Sequence, residues 1–141
     1  MKKHDFSKRH GFTLIDMLIA LAILGILAAL AYPGYLGALH KVRRVDAMNA
    51  LLQVQAAQAR YRGRHAGYAE HLSELGWAVD RVASPEGYYS VRLLAGGENG
   101  YLALAEPRAG GSQAADRCRR FVLDQNGPNP GRSSHPDCWS R

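Results

Sequence analysis

The pattern of hydrophobic and polar positions divides the chain into a strongly apolar first quarter and a mixed remainder. Residues 12–31 form an apolar run in which Asp16 is the only charged residue. A membrane-spanning helix needs about 20 predominantly apolar residues, so this run is long enough to cross a bilayer. The helical pattern continues beyond it, and Pro33 predicts a kink because proline removes a backbone hydrogen bond inside a helix.

The second half of the predicted helix, from Tyr35 to about Arg62, is amphipathic. Its apolar residues recur at spacings of three and four, which predicts a helix face that packs on a domain core. This stripe consists of Val45, Met48, Leu52, Ala56 and Ala59. The charged residues that fall largely outside the stripe are Lys41, Arg43, Arg44 and Asp46. We interpret the basic members as a solvated face or a contact with lipid headgroups.

Beyond Arg62 the hydrophobic period changes from helical to alternating, which indicates strands. The predicted strands are residues 88–95, 101–107 and 118–125. A turn is expected at 84–87, a glycine-rich hairpin turn between the first two strands, and a short helical turn within 68–77. The sequence therefore predicts an α+β fold, in which an antiparallel sheet of three or four strands packs on the C-terminal half of one long, kinked helix.

Length, composition and motifs narrow the function classes. With 141 residues, 47% of them hydrophobic, the chain has room for one ordered domain but not for a TIM barrel or a two-domain Rossmann enzyme. It contains no phosphate-binding loop, nucleophile elbow or pair of histidines at metal-ligating spacing. We therefore expect no enzymatic activity, no cofactor and no metal site.

Charge is concentrated at the beginning of the chain. The formal net charge is +6, and residues 1–11 carry four lysines and arginines against a single aspartate. A basic segment before an apolar run stays on the cytoplasmic side of a membrane. The apolar run then fits two ordinary interpretations: a secretory signal peptide cleaved after Ala31, and a plain N-terminal membrane anchor.

The border between the basic leader and the apolar run carries a family resemblance. The residues Gly11-Phe12-Thr13-Leu14-Ile15-Asp16 resemble the class III signal of type IV pilins and type II secretion pseudopilins. The resemblance implies that a prepilin peptidase cleaves after Gly11 and methylates the new N-terminus at Phe12, while the apolar segment stays on the mature protein. The position of Pro33 also matches this family. Asp16 stands where the family usually has glutamate.

The resemblance also implies an organisation and a set of partners. It divides the chain into a leader (1–11), a transmembrane and filament-core helix (12–34) and a periplasmic globular domain (35–141), with the ladle-like pilin fold. Asp16 is expected to pair with the N-terminal amine of a neighbouring subunit, because two opposite charges in hydrocarbon attract strongly when they meet. The expected partners are other pilin subunits, the prepilin peptidase, the inner-membrane assembly machinery and the inner membrane itself. The expected final location is an extracellular pilus.

Cys118 and Cys138 are the only cysteines, and both follow the membrane segment. The positive-inside orientation places them in an oxidising compartment, where a disulfide is expected. A bound metal and two free thiols are the alternatives. Neither cysteine belongs to a C-x-x-C motif, which disfavours a metal. In the pilin family such a bridge bounds an exposed C-terminal loop.

The leading functional hypothesis is a minor pilin, a structural subunit of a type IV pilus. A type II secretion pseudopilin and a pilin-like receptor for DNA uptake are the alternatives, with a plain secreted protein as a fourth. The DNA hypothesis depends on basic side chains around the C-terminal loop, which are suited to phosphate contacts. The candidate contacts are Arg117, Arg119, Arg120 and Arg132, with Arg108 and Trp139 nearby.

Overall fold

The computed structural model describes residues 12–97 and 100–140. The expected leader and its cleavage residue Gly11 lie outside the described residues. Helix α1 spans Leu14–Arg62 and includes Pro33, and short 3-10 helices occupy Leu72–Leu75 and Pro136–Trp139. The strands are β1 (Arg81–Ala83), β2 (Tyr89–Ala95), β3 (Tyr101–Pro107), β4 (Phe121–Asp124) and β5 (Gly127–Pro128).

The chain divides into two compact units, Met1–Gly37 and Ala38–Arg141. In the described part of the first unit, all large apolar side chains except that of Leu36 are exposed; Leu14, for example, is 80% exposed. Within the described residues, α1 is the one helix that is long and apolar enough to cross a membrane. An apolar surface of this kind is typical of a segment that lipid or other helices cover.

The buried face of α1 in the second unit differs from the predicted stripe. The buried positions that follow helical spacing are Arg44, Ala47, Leu51, Val54 and Gln58. Val45 and Leu52, which we predicted to face the core, are 44% and 47% exposed. The stripe prediction is therefore wrong, because two long polar side chains occupy the buried face and tertiary partners satisfy them.

The sheet packs against this face of α1 as an antiparallel meander in the order β1-β2-β3-β4-β5. The three predicted strands correspond to β2, β3 and β4, although β4 begins three residues later than expected. The sheet has five strands rather than the expected three or four, because β1 and β5 contain only three and two residues and are too short to show alternation in the sequence. The turn at 84–87 is confirmed: the Gly87 amide donates to the Ser84 carbonyl at 2.9 Å, and Gly87 has φ +78°.

The core lies between α1 and the inner face of the sheet. Tyr89, Phe121 and Trp139 form a chain of edge-to-face contacts with ring centroids 5.7 Å apart. Tyr89 and Tyr101 are almost completely buried, and this burial raises the pKa of each to about 12. The Tyr89 hydroxyl accepts a hydrogen bond from Gln113 at 2.9 Å, so its polar end is satisfied inside the core.

Two buried side chains of α1 fix loops onto the helix. The amide of Gln58 exchanges two hydrogen bonds with the backbone of Ala69, at 2.8 and 2.9 Å. Asp46 accepts from the amides of Glu86 and Tyr88, at 2.9 and 3.2 Å, and from the Ser84 hydroxyl. Asp46 is therefore a structural acceptor for the turn before β2.

The disulfide prediction is confirmed, since Cys118 and Cys138 are bonded with their Cα atoms 5.6 Å apart. Both cysteines are fully buried. A bridge that closes a loop of this length stabilises the folded state by about 3 kcal/mol in the chain-entropy model. The bridge joins the residues before β4 to the C-terminal 3-10 helix and so closes the segment that contains β4 and β5.

Candidate functional site

The outer face of the sheet, which points away from α1, carries most of the charged side chains of the strands. The strand register places Arg81 opposite Arg92, Arg92 opposite Leu104, and Leu104 opposite Val122. Directly opposed residues point to the same side of a sheet, so these four side chains form one row. The neighbouring rows contain Ser90 with Glu106, and Leu94 with Leu102 and Asp124.

Arg81 and Arg92 are like charges placed directly opposite each other on adjacent strands. Such a pair destabilises a sheet unless an anion compensates it. Arg92 has a carboxylate 3.4 Å away, that of Glu106. Arg81 is exposed and makes no ion pair within residues 12–97 and 100–140. This pair therefore leaves an uncompensated positive charge at the β1 edge.

Two shallow cavities lie on this face and are bordered by arginines. One has a volume of about 250 Å³ and is lined by Arg120 and Arg132 around the apolar side chains of Leu94, Leu102, Leu104 and Val122. The other, of about 400 Å³, is lined by Arg81 and Arg108 together with Ser90 and Glu106. Leu104 and Val122 are buried although they point outward, which fits arginine stems that cover apolar surface while their charged ends stay in water.

We call this set the outer-face arginines: Arg81, Arg92, Arg108, Arg120 and Arg132. The carboxylates on the same face are Glu106 and Asp124. Asp124 is engaged locally, because it accepts hydrogen bonds from the Asn126 amide and the Asn129 side chain. The face is therefore positively charged, and its arginines have the planar donor groups that match phosphate oxygens.

The structure separates the four arginines that sequence reasoning had grouped. Arg120 and Arg132 line one cavity of the outer face. Arg117 instead lies 3.5 Å from the carboxylate of Asp137, and Arg119 donates to the carbonyl of Ala114 at 3.3 Å. Arg81 and Arg92 were missed, because their position on a common face depends on the register of a strand too short to predict.

Trp139 is not an exposed stacking surface. Its indole nitrogen donates to the Ser133 hydroxyl at 2.9 Å, and its ring packs edge-to-face on Phe121. The Ser133 hydroxyl also accepts from the Val122 amide. Trp139 therefore holds the C-terminal loop against β4 rather than presenting a free ring to a ligand.

A buried ion pair supports the segment that leads into β4. Arg44 donates to both carboxylate oxygens of Asp116, at 2.6 and 2.7 Å, and the prediction that Arg44 lies on a solvated face is wrong. Burial alone would raise the pKa of Asp116, but the hydrogen bonds from Arg44 and from the Cys118 amide outweigh it and lower the pKa. Beside this pair, the side-chain oxygen of Gln113 accepts a hydrogen bond from Nδ1 of His40 at 2.7 Å, and its side-chain nitrogen donates to the His40 carbonyl at 3.2 Å.

The start of α1 contains a second candidate site. Phe12 is 84% exposed. The carboxylate of Asp16 accepts hydrogen bonds from the backbone amide and the hydroxyl of Thr13, at 2.9 and 2.7 Å, and the Asp16 amide donates to the Thr13 hydroxyl at 3.3 Å. This reciprocal arrangement is a capping box that satisfies free donors at the helix N-terminus. The sequence signature of this cap is a threonine followed three residues later by an acidic residue.

Two family models match the chain. Residues 6–32 match the prokaryotic N-terminal methylation motif. Residues 33–122 match the family described as "Type IV minor pilin ComP, DNA uptake sequence receptor". The second match covers more than half of the chain. The chain belongs to the ComP family of type IV minor pilins.

Membership of the ComP family confirms the resemblance to type IV pilins, and the long helix with its antiparallel sheet confirms the α+β pilin fold. Pilins are in general structural proteins rather than enzymes. The methylation motif implies prepilin peptidase processing and assembly with pilin subunits, and with the apolar helix it fits a membrane-anchored pilin. Among curated proteins, none matches the sequence significantly.

Proposed function

We propose that this minor pilin is a DNA-binding subunit of a type IV pilus, and that the outer-face arginines contact the phosphate backbone. The observation that carries the proposal is the directly opposed pair Arg81 and Arg92, a destabilising arrangement that a polyanion would compensate. The description of the matching family as a DNA uptake sequence receptor supports the same ligand. The C-terminal arginines of the earlier hypothesis contribute through Arg120 and Arg132 only.

The arrangement of the outer-face arginines suits contacts with the DNA phosphate backbone more than contacts with the bases. Phosphate contacts by arginine release counterions and make binding strongly dependent on salt, with little information about sequence. The arginines extend over four strands and the loops beside them, which is a broad surface rather than a pocket for one small anion. The ligand that fits is therefore a duplex rather than a free nucleotide.

The test compares two double variants with the same change in charge. The full chain in nonionic detergent is titrated with a fluorescent DNA duplex at several salt concentrations. We expect Arg120→Gln with Arg132→Gln to weaken binding and to reduce the slope of log K against log salt by about 1 per arginine. Arg117→Gln with Arg119→Gln is the matched control and should change both quantities much less.

Three outcomes would contradict the proposal. If the native chain shows no salt-dependent binding, the protein is not a DNA-binding subunit. If both double variants weaken binding equally, net charge alone explains the interaction and the outer face is not a site. If the control pair has the larger effect, the interface is the C-terminal loop, as the sequence first indicated.

We also propose the processing and assembly that the pilin family implies. Cleavage after Gly11 leaves an N-methylated Phe12, and the carboxylate of Asp16 pairs with that amine on a neighbouring subunit. The match to a type IV minor pilin family supports a pilus over a type II secretion pseudopilus. In this proposal the subunit waits in the inner membrane with its second unit in the periplasm, and is then incorporated into the filament.

Mass spectrometry of the mature N-terminus tests the processing step, and a chain beginning at Tyr32 would contradict it. Asp16→Ala tests the pairing. The variant should be inserted and cleaved, yet enter filaments much less than the native chain. Because Asp16 also caps α1 through Thr13, Thr13→Ala serves as the control that weakens the cap and keeps the carboxylate. If the two variants assemble equally poorly, capping rather than charge pairing is the role of Asp16.

A further inference from the structure

Glu106 is a carboxylate shared by two of the outer-face arginines. Its Oε2 atom lies 3.4 Å from Nη2 of Arg92, and its Oε1 atom accepts a hydrogen bond from Nε of Arg120 at 3.2 Å. Arg92 belongs to β2 and Arg120 precedes β4, so the two guanidinium groups lie on either side of β3. One carboxylate therefore holds a guanidinium group on each side of its own strand.

The contribution of Glu106 to stability, through its charge beside Arg92, accounts for only part of this arrangement. The side chains of Glu106, Arg92 and Arg120 are 26%, 33% and 53% exposed. Ion pairs with this much solvent contact contribute little to folding, because water screens the charges and the long side chains lose freedom. The carboxylate also lowers the positive potential of the surface that, in our proposal, attracts DNA. A role in orienting the two arginines would explain why a carboxylate is present where it adds little stability and lowers the positive potential.

The contacts leave the guanidinium of Arg120 free for a second anion. Within the described residues, Arg120 donates to Glu106 through Nε alone, so its two terminal nitrogens have no protein acceptor. A free arginine on a surface samples many rotamers, and each one that DNA immobilises reduces the affinity. An arginine already held at Nε can present its two terminal nitrogens to a phosphate at a lower entropic cost.

We propose that Glu106 is a positioning residue of the DNA interface: it orients Arg92 and Arg120 for phosphate contacts, and its removal weakens DNA binding although it makes the surface more positive. This inference rests on the DNA-binding function proposed above. Charge alone predicts the opposite change in DNA affinity, because a carboxylate near a phosphate-binding surface repels DNA and its removal should strengthen binding. The experiment therefore separates positioning from simple repulsion.

The experiment measures the affinity of the full chain in nonionic detergent for a fluorescent duplex at fixed salt. Glu106→Gln keeps the shape of the side chain and should weaken binding about three- to tenfold, the effect of immobilising one or two flexible side chains on binding. Glu70→Gln is the matched control, because Glu70 is exposed and its carboxylate makes no hydrogen bond or ion pair within residues 12–97 and 100–140. This control should bind as the native chain does, or slightly more tightly.

Two further variants test whether Glu106 affects DNA binding through the arginines that it contacts. Glu106→Asp keeps the charge but shortens the side chain, so it should weaken binding as Glu106→Gln does. In an Arg120→Gln background the same Glu106→Gln change should cost much less, because one of the two positioned groups is already absent. A purely structural role of Glu106 would not produce this coupling, and thermal unfolding of each variant verifies that the fold is retained.

Each result decides the inference. Binding by Glu106→Gln that equals or exceeds that of Glu70→Gln overturns it, and Glu106 then acts only as a repulsive charge. An equal loss in the native and Arg120→Gln backgrounds also overturns it. If the native chain does not bind DNA, the proposed function fails and this inference fails with it. Native binding without a loss in Glu106→Gln refutes only the role of Glu106.

Discussion

The two faces of the sheet are built from the same strands in the same register, yet they differ in the polarity and burial of their side chains. On the inner face, alternate residues such as Val91, Ala103 and Phe121 are apolar and buried. On the outer face, the intervening positions include Arg81, Arg92 and Glu106, which are charged and reach solvent. The inner face satisfies the requirements of folding, whereas the outer face contains an opposed pair of like charges that folding alone would not favour.

This difference teaches where to look for function in a small structural protein. Pilins are in general structural proteins, and the specific activity of a structural protein comes from the surfaces that bind its partners. A surface that merely keeps the protein soluble mixes charges of both signs. The outer face instead has an excess of positive charge, because it carries five arginines and only two carboxylates, those of Glu106 and Asp124. Three changes test whether the inner face determines stability while the outer face determines binding.

The largest expected effect is on the inner face. Phe121 is fully buried between Tyr89 and Trp139, so Phe121→Ala should reduce the free energy of unfolding by about 3–5 kcal/mol. Leu94, on the outer face and 39% exposed, is the control, and Leu94→Ala should cost less than about 1 kcal/mol. Urea unfolding of both variants measures the difference. Equal losses would mean that the outer face is part of the core.

An intermediate effect is expected from alkaline pH. Burial raises the pKa of Tyr89 and Tyr101 to about 12, whereas an unfolded tyrosine has a pKa of about 10. Between these values the unfolded state has released protons that the folded state retains. Stability is therefore fully present below about pH 10 and falls as the pH rises toward 12, by about 1.4 kcal/mol per pH unit for each buried tyrosine.

Unfolding measured across this range in the native chain and in Tyr101→Phe checks the prediction. The variant should show a shallower decline, because one of the two titrating groups of the inner face is absent. An identical decline would indicate that other groups, or the outer-face charges, control the alkaline response.

Most of the fold was predictable because local signals determine it. The alternation in β2 and β3 and the Ser84–Gly87 turn are properties of short segments, and they were predicted correctly. The buried face of α1 was not. Arg44 and Gln58 are buried because Asp116 and Ala69, distant in the sequence, supply their hydrogen bonds. Helical periodicity assigns polar residues to the exposed face, because it contains no information about hydrogen-bond partners that are distant in the sequence.

The candidate site was predictable only in part, for a related reason. Basic residues near the C-terminus suggested phosphate contacts, and Arg120 and Arg132 do line the outer face. Arg117 and Arg119 follow them closely in the sequence but have different partners, Asp137 and the Ala114 carbonyl. Which arginines share a surface depends on strand register, and the β1–β2 register is a property of the fold rather than of either strand alone.

The smallest expected effect is that of replacing Arg81, which should raise the stability of the protein but weaken its binding to DNA. Arg81 lies directly opposite Arg92, and like charges at opposed positions destabilise a sheet. Arg81→Gln removes this repulsion and should raise the free energy of unfolding by about 0.2–1 kcal/mol. The same change removes a phosphate contact, so it should weaken duplex binding and lower the salt slope by about 1. Lys41→Gln, at an exposed position within α1 and away from both helix ends, carries the same change in charge and should alter neither quantity appreciably. A protein that gains stability when it loses binding would show that the outer face is maintained for its ligand. If Arg81→Gln destabilises the protein, the opposed arginines belong to the fold, and the division between the two faces is incorrect.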